Sequence, residues 1–437
     1  MLTRRGLLDN LSVPPPAWLR GVSLPASLGP TLANMASIIG GELLLRLTSF
    51  AVVVVIARLY GASALGLYAT GLAYAAVAVM FSDNGLSIWA VAEVQRNRME
   101  LDKTVSRLYA TKTLLFIPLA LIVLILAATS YIPAAAWIVG GLVLLRTMLQ
   151  SYCQLQLSVL KAMDRMRVIG PIQSVHFLFL IIGIAGAYLH SWNFDVLLVW
   201  MVAGQTLELL LSGSLLWRSG FRPRSVQGTD CWNLLKSSTP VGLVYGMANA
   251  IVRLDVILLS LLLPLDQIGQ FAAAHMMIVV AYVAAWLFGS VLLPELTRLG
   301  PNPASLQAYV ERWGRLLLLT TLPACGLLAW AVSPVLRVLY GTSFSEAGIY
   351  ATVMLFAVPW ILLNALYLNQ AIAVQSSRLY LQVYLCALVL TCAFDLSLGL
   401  SFGPSGVATA IILREIATVS LFHRFRPQKL IASEAAT

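Results

Sequence analysis

Charge is scarce in this chain: Asp, Glu, Lys and Arg make up 11% of its 437 residues, while 59% are hydrophobic. That excludes an independently soluble domain, because so much apolar surface has to be covered by lipid or by a very large core. The five cysteines, Cys153, Cys231, Cys325, Cys386 and Cys392, all fall in apolar segments or in the basic gaps between them, which argues against a disulfide framework. Phosphate-binding loops of the G-x-x-x-x-G-K-[ST] kind are absent, and no gap is long enough for an ATPase domain, so direct use of ATP is not expected. Neither H-E-x-x-H, G-x-S-x-G nor a paired-cysteine motif occurs, and the gaps at 130–133, 189–195, 264–267, 337–345 and 400–404 leave little room for catalysis. The sequence therefore predicts no enzyme, no metal and no cofactor. The start, Arg4-Arg5-Gly6-Leu7-Leu8, resembles a twin-arginine export signal, but Asp9, Asn10 and Pro14-Pro15-Pro16 interrupt the apolar core such a signal needs.

Long apolar runs fill the rest. A helix needs about 20 apolar residues to cross a bilayer, and twelve segments qualify: 37–59, 67–91, 107–128, 134–160, 167–189, 194–217, 236–263, 268–293, 313–335, 346–372, 379–399 and 404–423. Of the 28 Lys and Arg residues, only Arg58 and Arg337 fall in odd-numbered gaps, Arg46, Lys112, Arg146, Arg253 and Arg414 fall within spans, and the rest crowd the alternate gaps and the ends. Loops on the cytoplasmic side keep an excess of Lys and Arg, so both termini are predicted to be cytoplasmic. The net charge of +10 lies in stretches such as 96–107, 161–167 and 218–236. Topology and anionic lipid headgroups account for it without a nucleic-acid partner.

The predicted fold is an all-α polytopic membrane protein of two six-helix bundles. A cytoplasmic segment at 1–36 precedes the first bundle at 37–218, a basic cytoplasmic linker at 219–235 joins it to the second at 236–424, and 425–437 is a cytoplasmic tail. At an offset of 203 residues, Leu65-Gly66-Leu67-Tyr68-Ala69 aligns with Ile268-Gly269-Gln270-Phe271-Ala272, and Pro118 nearly meets Pro323. Parallel repeats of this kind build transporters whose halves rock about a central site near the midplane. Pro118, Pro171, Pro240, Pro323 and Pro359 offer places for spans to bend, although proline is in any case commoner in membrane helices than in soluble ones.

A charge at the bilayer centre costs about 2.5–3.5 kcal/mol on insertion scales, so such residues face a bundle interior or a wet cavity. Glu42, Arg46 and Ser49 share one helical face, as do Tyr245, Asn249 and Arg253, the latter on the stripe of Gly242 and Gly246, which reads as a polar, backbone-exposing face. Under the 203 offset Asn249 corresponds to Arg46, which points to a shared central cavity. Arg146, Gln150, Cys153, Gln154 and Ser158 form a polar ridge on the fourth span, and Gln205, Glu208 and Ser212 one on the sixth; together they read as a water-filled, cationic lumen. Arg46, Arg146, Arg253, Lys112, Asn249 and Gln150 are the candidate anion-binding residues, Arg146 foremost because its own face carries no acid. Glu42 and Arg46 could equally form a mutual ion pair, and Lys112 could snorkel to the headgroups. Asp83, Asp255, Glu208 and Glu42 are the candidates for coupling to H⁺ or Na⁺. Asp255 lies two residues from Arg253 and Glu415 adjoins Arg414, so the spacing rules out pairing within one helix for both and leaves pairing across helices. His176 and His275 read as packing residues.

Several of these stretches resemble the bacterial polysaccharide-unit flippases, the Wzx-type branch of the superfamily that also holds the MATE drug exporters and the lipid II flippases. They are Ile56-Ala57-Arg58-Leu59-Tyr60-Gly61 with Gly66-Leu67-Tyr68, then Ser82-Asp83-Asn84-Gly85-Leu86, Arg253-Leu254-Asp255 with Ile268-Gly269-Gln270-Phe271-Ala272-Ala273, Leu293-Pro294-Glu295-Leu296, and Val338-Leu339-Tyr340-Gly341-Thr342-Ser343-Phe344. The resemblance implies a MATE-like fold in a bacterial inner membrane. It implies alternating-access transfer of an undecaprenyl-diphosphate-linked oligosaccharide for O-antigen or exopolysaccharide synthesis, with membrane lipid and polysaccharide polymerase or assembly proteins as partners. Arg46, Arg146, Arg253 and Lys112 would meet the diphosphate or acidic sugars, since the planar guanidinium can donate two hydrogen bonds to one phosphate. The other reading is a MATE-like cation-coupled small-molecule antiporter.

Overall fold

The computed structural model describes residues 28–129, 134–374 and 377–425. The twin-arginine-like start, the gap at 130–133 and nearly all of the C-terminal tail lie outside the described residues. Those described form α-helices joined by turns and short 3-10 segments, with no strand among them. Only a helix satisfies its own backbone N–H and C=O groups within one segment, so continuous apolar runs of this length in lipid fold this way.

Seven described helices are long and apolar enough to cross a membrane, eight with a bent pair counted as one span. Two of the seven are hairpins. The helix Leu28–Asp83 is broken at Gly61 (φ 80°) and Ser377–Arg424 at Gly403 (φ 59°), conformations that cost glycine little because it has no Cβ. Separating these, and adding the remaining long helices Leu101–Thr129 and Gly228–Leu262, gives twelve rods: α1 (28–60), α2 (62–96), α3 (Leu101–Thr129), α4 (Ala134–Ala162), α5 (Ile169–His190), α6 (Phe194–Arg218), α7 (Gly228–Leu262), α8 (Leu265–Leu299), α9 (Pro303–Tyr340), α10 (345–373), α11 (377–402) and α12 (404–424).

Three boundaries differ from the sequence reading. Helix α7 begins at Gly228, so the second half of the expected linker forms its first two turns. Helix α9 begins well before 313, started by Asn302, whose side chain accepts from the Ser305 N–H at 3.1 Å, with Pro303 in the first turn where its missing donor is harmless. Helix α2 is interrupted at Asn84 (φ 40°) and Gly85 (φ 74°), both left-handed, before Leu86–Arg96 resumes. Of the five prolines, Pro359 marks a bend: α10 turns by 43° between Ser345–Leu355 and Val358–Ala373. Pro118 and Pro323 sit inside uninterrupted helices.

The two halves meet at two closely packed glycines near the turns that join α1 to α2 and α7 to α8. A Cβ added to Gly66 of α2 would strike the Leu265 carbonyl of α8, and one added to Gly269 of α8 would strike the Ala62 carbonyl of α2. Ala62 and Leu265, like Gly66 and Gly269, are 203 residues apart, so the contact is reciprocal, as at a two-fold interface. Missing side chains let the backbones approach closely, the usual basis of helix association in lipid. At the same end Arg58 donates to the Leu339 carbonyl at 2.6 Å and to that of Val338, at the free C-terminal carbonyls of α9. One of the two basic residues that broke the charge pattern is thereby a helix cap between halves.

Candidate functional site

Tyr68 lies on α2 between the halves, 3% exposed. Its hydroxyl accepts from the Arg146 guanidinium of α4 at 3.0 Å. Arg253 of α7 is within electrostatic range of that same hydroxyl and of Arg46 on α1. Two arginines, from α4 and α7, thus lie by one phenol of α2, and Arg46 of α1 is related to the group through Arg253. Arg146 is buried and its Nε has no hydrogen-bond partner, although α6 brings Glu208 and His176 of α5 within electrostatic range of it. Arg46 is 49% exposed, and it keeps Glu42 at 2.8 Å, the mutual pair that the four-residue spacing allows. Asn249, the repeat counterpart of Arg46, is exposed as well, and Gln150 is half-buried one turn from Arg146. Guanidinium donors left without a full set of partners can bind a phosphate or another oxyanion by charge-assisted hydrogen bonds.

Lys112 does not join this group. It is fully buried, paired with Asp83 and donating to the Ser151 carbonyl at 2.8 Å, with the Ser87 hydroxyl at 3.4 Å. Ser87 in turn donates to Asp83 at 2.6 Å. The break at Asn84–Gly85 places Asp83 where an ammonium buried between α2, α3 and α4 needs a counter-charge, so Lys112 neither snorkels nor faces the cavity, and Asp83 is held in the same pair.

The polar ridge of α6, with Cys153 of α4, also differs from the expected lumen. Gln205 donates to Glu208 at 2.8 Å and to the Cys153 thiol at 3.4 Å, Ser212 donates to Gln156, and His176 lies 3.4 Å from Glu208. These residues are buried against one another, because polar groups in lipid find partners across a helix seam when water is absent. Gly242 and Gly246 are covered too: added Cβ atoms would meet Asn84 and Met80 of α2. The expected backbone-exposing face of α7 is a packing face, latched by Asn84, which donates to Thr239 at 3.0 Å.

Asp255 lies in the second bundle, away from Arg253 on the opposite face of α7. Arg414 of α12 donates to it at 2.7 Å, and Glu415 is 3.4 Å from the Arg414 Nε. Pairing between adjacent residues of one helix, which spacing excluded, is therefore present, because a guanidinium is long enough to fold back along the helix. Tyr68 stood in the repeat and in the family-like motif but was not read as a site residue; Tyr282 and Asn364 were missed, because tyrosines and asparagines scattered on apolar helices carry no distinguishing spacing.

The architecture matches solved structures across nearly its whole length. The lipid II flippase MurJ in an inward closed conformation has a TM-score of 0.69 at 15% identity, with 91% of this chain and 87% of that one covered. An inward-facing MATE-family multidrug resistance transporter of the MOP superfamily gives 0.66 at 11%, covering 90% and 96%. A MOP superfamily transporter from Pyrococcus furiosus gives 0.54 at 12%, covering 92% and 96%. At these identities the likeness establishes the fold alone, the one these solved transporters share. The family described as polysaccharide biosynthesis protein matches residues 31–299, and the chain belongs to that family. No curated protein sequence matches it.

Proposed function

We propose that this transporter flips an undecaprenyl-diphosphate-linked oligosaccharide from the cytoplasmic to the outer leaflet of a bacterial inner membrane, for O-antigen or exopolysaccharide synthesis. The observation that carries the reading is that Arg146 and Arg253 lie at the Tyr68 hydroxyl, with Arg46 in electrostatic range of Arg253. The diphosphate binds these guanidiniums, with Asn249 and Gln150 toward the sugars, while the lipid tail stays in the bilayer. The halves rock as the expected bundles 37–218 and 236–424, and the basic gaps keep both termini in the cytoplasm. Polysaccharide polymerase or assembly proteins take the product.

A lipid tail needs a seam that opens sideways, and an asymmetry between the repeats supports one. On α7, Gly246 is buried against Met80 of α2; its counterpart 203 residues earlier, Leu43 on α1, is 58% exposed. Farther along α1, Val53 and Ala57 are buried. Along α1, exposure thus falls from Leu43 toward Gly61.

Testing uses a host lacking its own oligosaccharide flippase, complemented with wild type, Arg146→Ala or Arg253→Ala, with surface glycan, accumulated lipid-linked precursor and membrane levels measured. Wild type restores surface glycan, and the variants insert normally but leave precursor inside. If the variants export fully, the arginines are structural. If wild type never restores glycan with any glycan tested, the antiporter reading replaces this one.

A further inference from the structure

The repeat relates the two halves, but its two seams are not held alike. The break of α2 at Asn84 and Gly85, both left-handed, turns Asn84 out toward α7. Its side-chain amide donates to the Thr239 hydroxyl at 3.0 Å and lies 3.4 Å from that of Ser238. Its backbone carbonyl sits where a Cβ on Gly242 would collide, and one turn farther along α7 a Cβ on Gly246 would stand 3.1 Å from the Cγ and Sδ of Met80. On its other side the turn is fixed in the first bundle. Asp83 is paired with the buried Lys112 and accepts from Ser87, and Lys112 donates to the Ser151 carbonyl of α4 at 2.8 Å. A knob anchored in one half is thus seated in a glycine notch of the other.

The linker adds a second tie at α7. Arg222 and Arg224 donate their backbone N–H groups to Asp102 and Ser106 of α3, each at 2.9 Å. Asp102 and Ser106 are one turn apart on a single face of α3, so the two anchors lay the linker along that helix as a strap. Arg224 Nε also lies 3.7 Å from Asp102, and the Phe221 ring stacks on Tyr109. Residues 225–227 alone separate the strap from Gly228, where α7 begins. A chain that short spans at most about 14 Å from Arg224 to Gly228, so the start of α7 stays close to α3. The repeat-related seam is built differently. Leu287, the counterpart of Asn84, is 45% exposed where α8 runs on without a left-handed residue, and Leu43, the counterpart of Gly246, is 58% exposed.

Two bodies joined by a short tether and a seated knob at one seam move by turning about that seam. Separation there would strand the Asn84 amide, since the bilayer interior offers no water to replace its partners. We propose that the contact of the Asn84 turn with Ser238, Thr239, Gly242 and Gly246 is the pivot of this transporter, closed throughout the cycle while the halves part elsewhere. The proposal rests on the transporter reading above. The Asp83–Lys112 pair holds the turn that forms the pivot against α3 and α4.

The test ties the pivot shut. In a background without the native cysteines, Met80→Cys and Gly246→Cys are oxidised to a disulfide, for which the contact across the seam is close enough. In the complemented host the linked protein is expected to export as well as the reduced one, read as surface glycan at equal membrane level. Loss of export on linking, restored by a reductant, overturns the pivot, and failure of the pair to form a disulfide overturns the contact itself. A second measurement needs no substrate. Spin labels on Arg165→Cys and Ala304→Cys, exposed positions in the two halves, report the distance between them by pulsed electron paramagnetic resonance in lipid nanodiscs. The spread of distances is expected to be the same with and without the disulfide, and a spread narrowed by it overturns the pivot. Failure of wild type to export any glycan would sink the glycan reading and leave the distance measurement to decide this one.

Discussion

The Tyr68 hydroxyl lies by Arg146 and Arg253, and removing it separates binding from folding. Hydrogen bonds to charged groups contribute about 1.5–3 kcal/mol, so Tyr68→Phe is expected to lower glycan export about ten-fold at unchanged membrane level, read as surface glycan against precursor. Arg46 and Arg414 should behave oppositely in a melting experiment. The Arg46–Glu42 pair is half exposed, and Arg46→Ala should change detergent-solution stability by less than about 1 kcal/mol. Arg414 is 1% exposed between Asp255 and Glu415, and Arg414→Ala leaves both carboxylates without their cation, a loss of about 3–5 kcal/mol. Equal melting of the two variants would contradict this assignment. Sequence reasoning singled out all the arginines but could not sort them, because the spacing of residues on one helix says nothing about which neighbouring helix supplies the counter-charge.

Helices here approach through glycines, and the individual glycines are not equivalent. Alanine at Gly269 places a methyl group against the Ala62 backbone, which cannot move aside as a side chain can. Overpacking typically costs about 1–3 kcal/mol, and Gly269→Ala is expected to lose that much by thermal denaturation in detergent. Gly140 on α4 has nothing within 4 Å of an added Cβ, so Gly140→Ala should be neutral or gain up to about 1 kcal/mol of helix propensity. The repeat signal Gly66 and Gly269 was legible in the sequence as an alignment. That the two residues touch each other was not. The break of α2 at Asn84–Gly85 was also written locally, since Asn-Gly is a strong turn signal, but an unbroken apolar run concealed it.

For the whole molecule, the rocking proposed above would make the seam between Leu43 of α1 and Val283 of α8 a moving part. Leu43 and Val283 are the repeat counterparts of Gly246 and Met80, which touch across the closed α2–α7 seam. In a background without the native cysteines, a short bifunctional thiol reagent tying Leu43→Cys to Val283→Cys is expected to abolish export, measured as surface glycan, with either single variant unaffected by the reagent. Full export by the cross-linked protein would show that this seam need not move.

Length, hydropathy and the segregation of Lys and Arg were enough to settle that the chain is a helical membrane protein of about twelve spans in two repeats, because bilayer thickness and backbone satisfaction act on each segment alone. Family membership was legible from short motifs at the helix ends. The roles of the buried charges were not. Lys112 against Asp83, Arg414 against Asp255 and Glu415, and Arg146 and Arg253 by Tyr68 are decided by which helices become neighbours. In a low-dielectric interior a charge takes its character from whatever lies within a few ångströms, and those neighbours come from segments far apart in the chain.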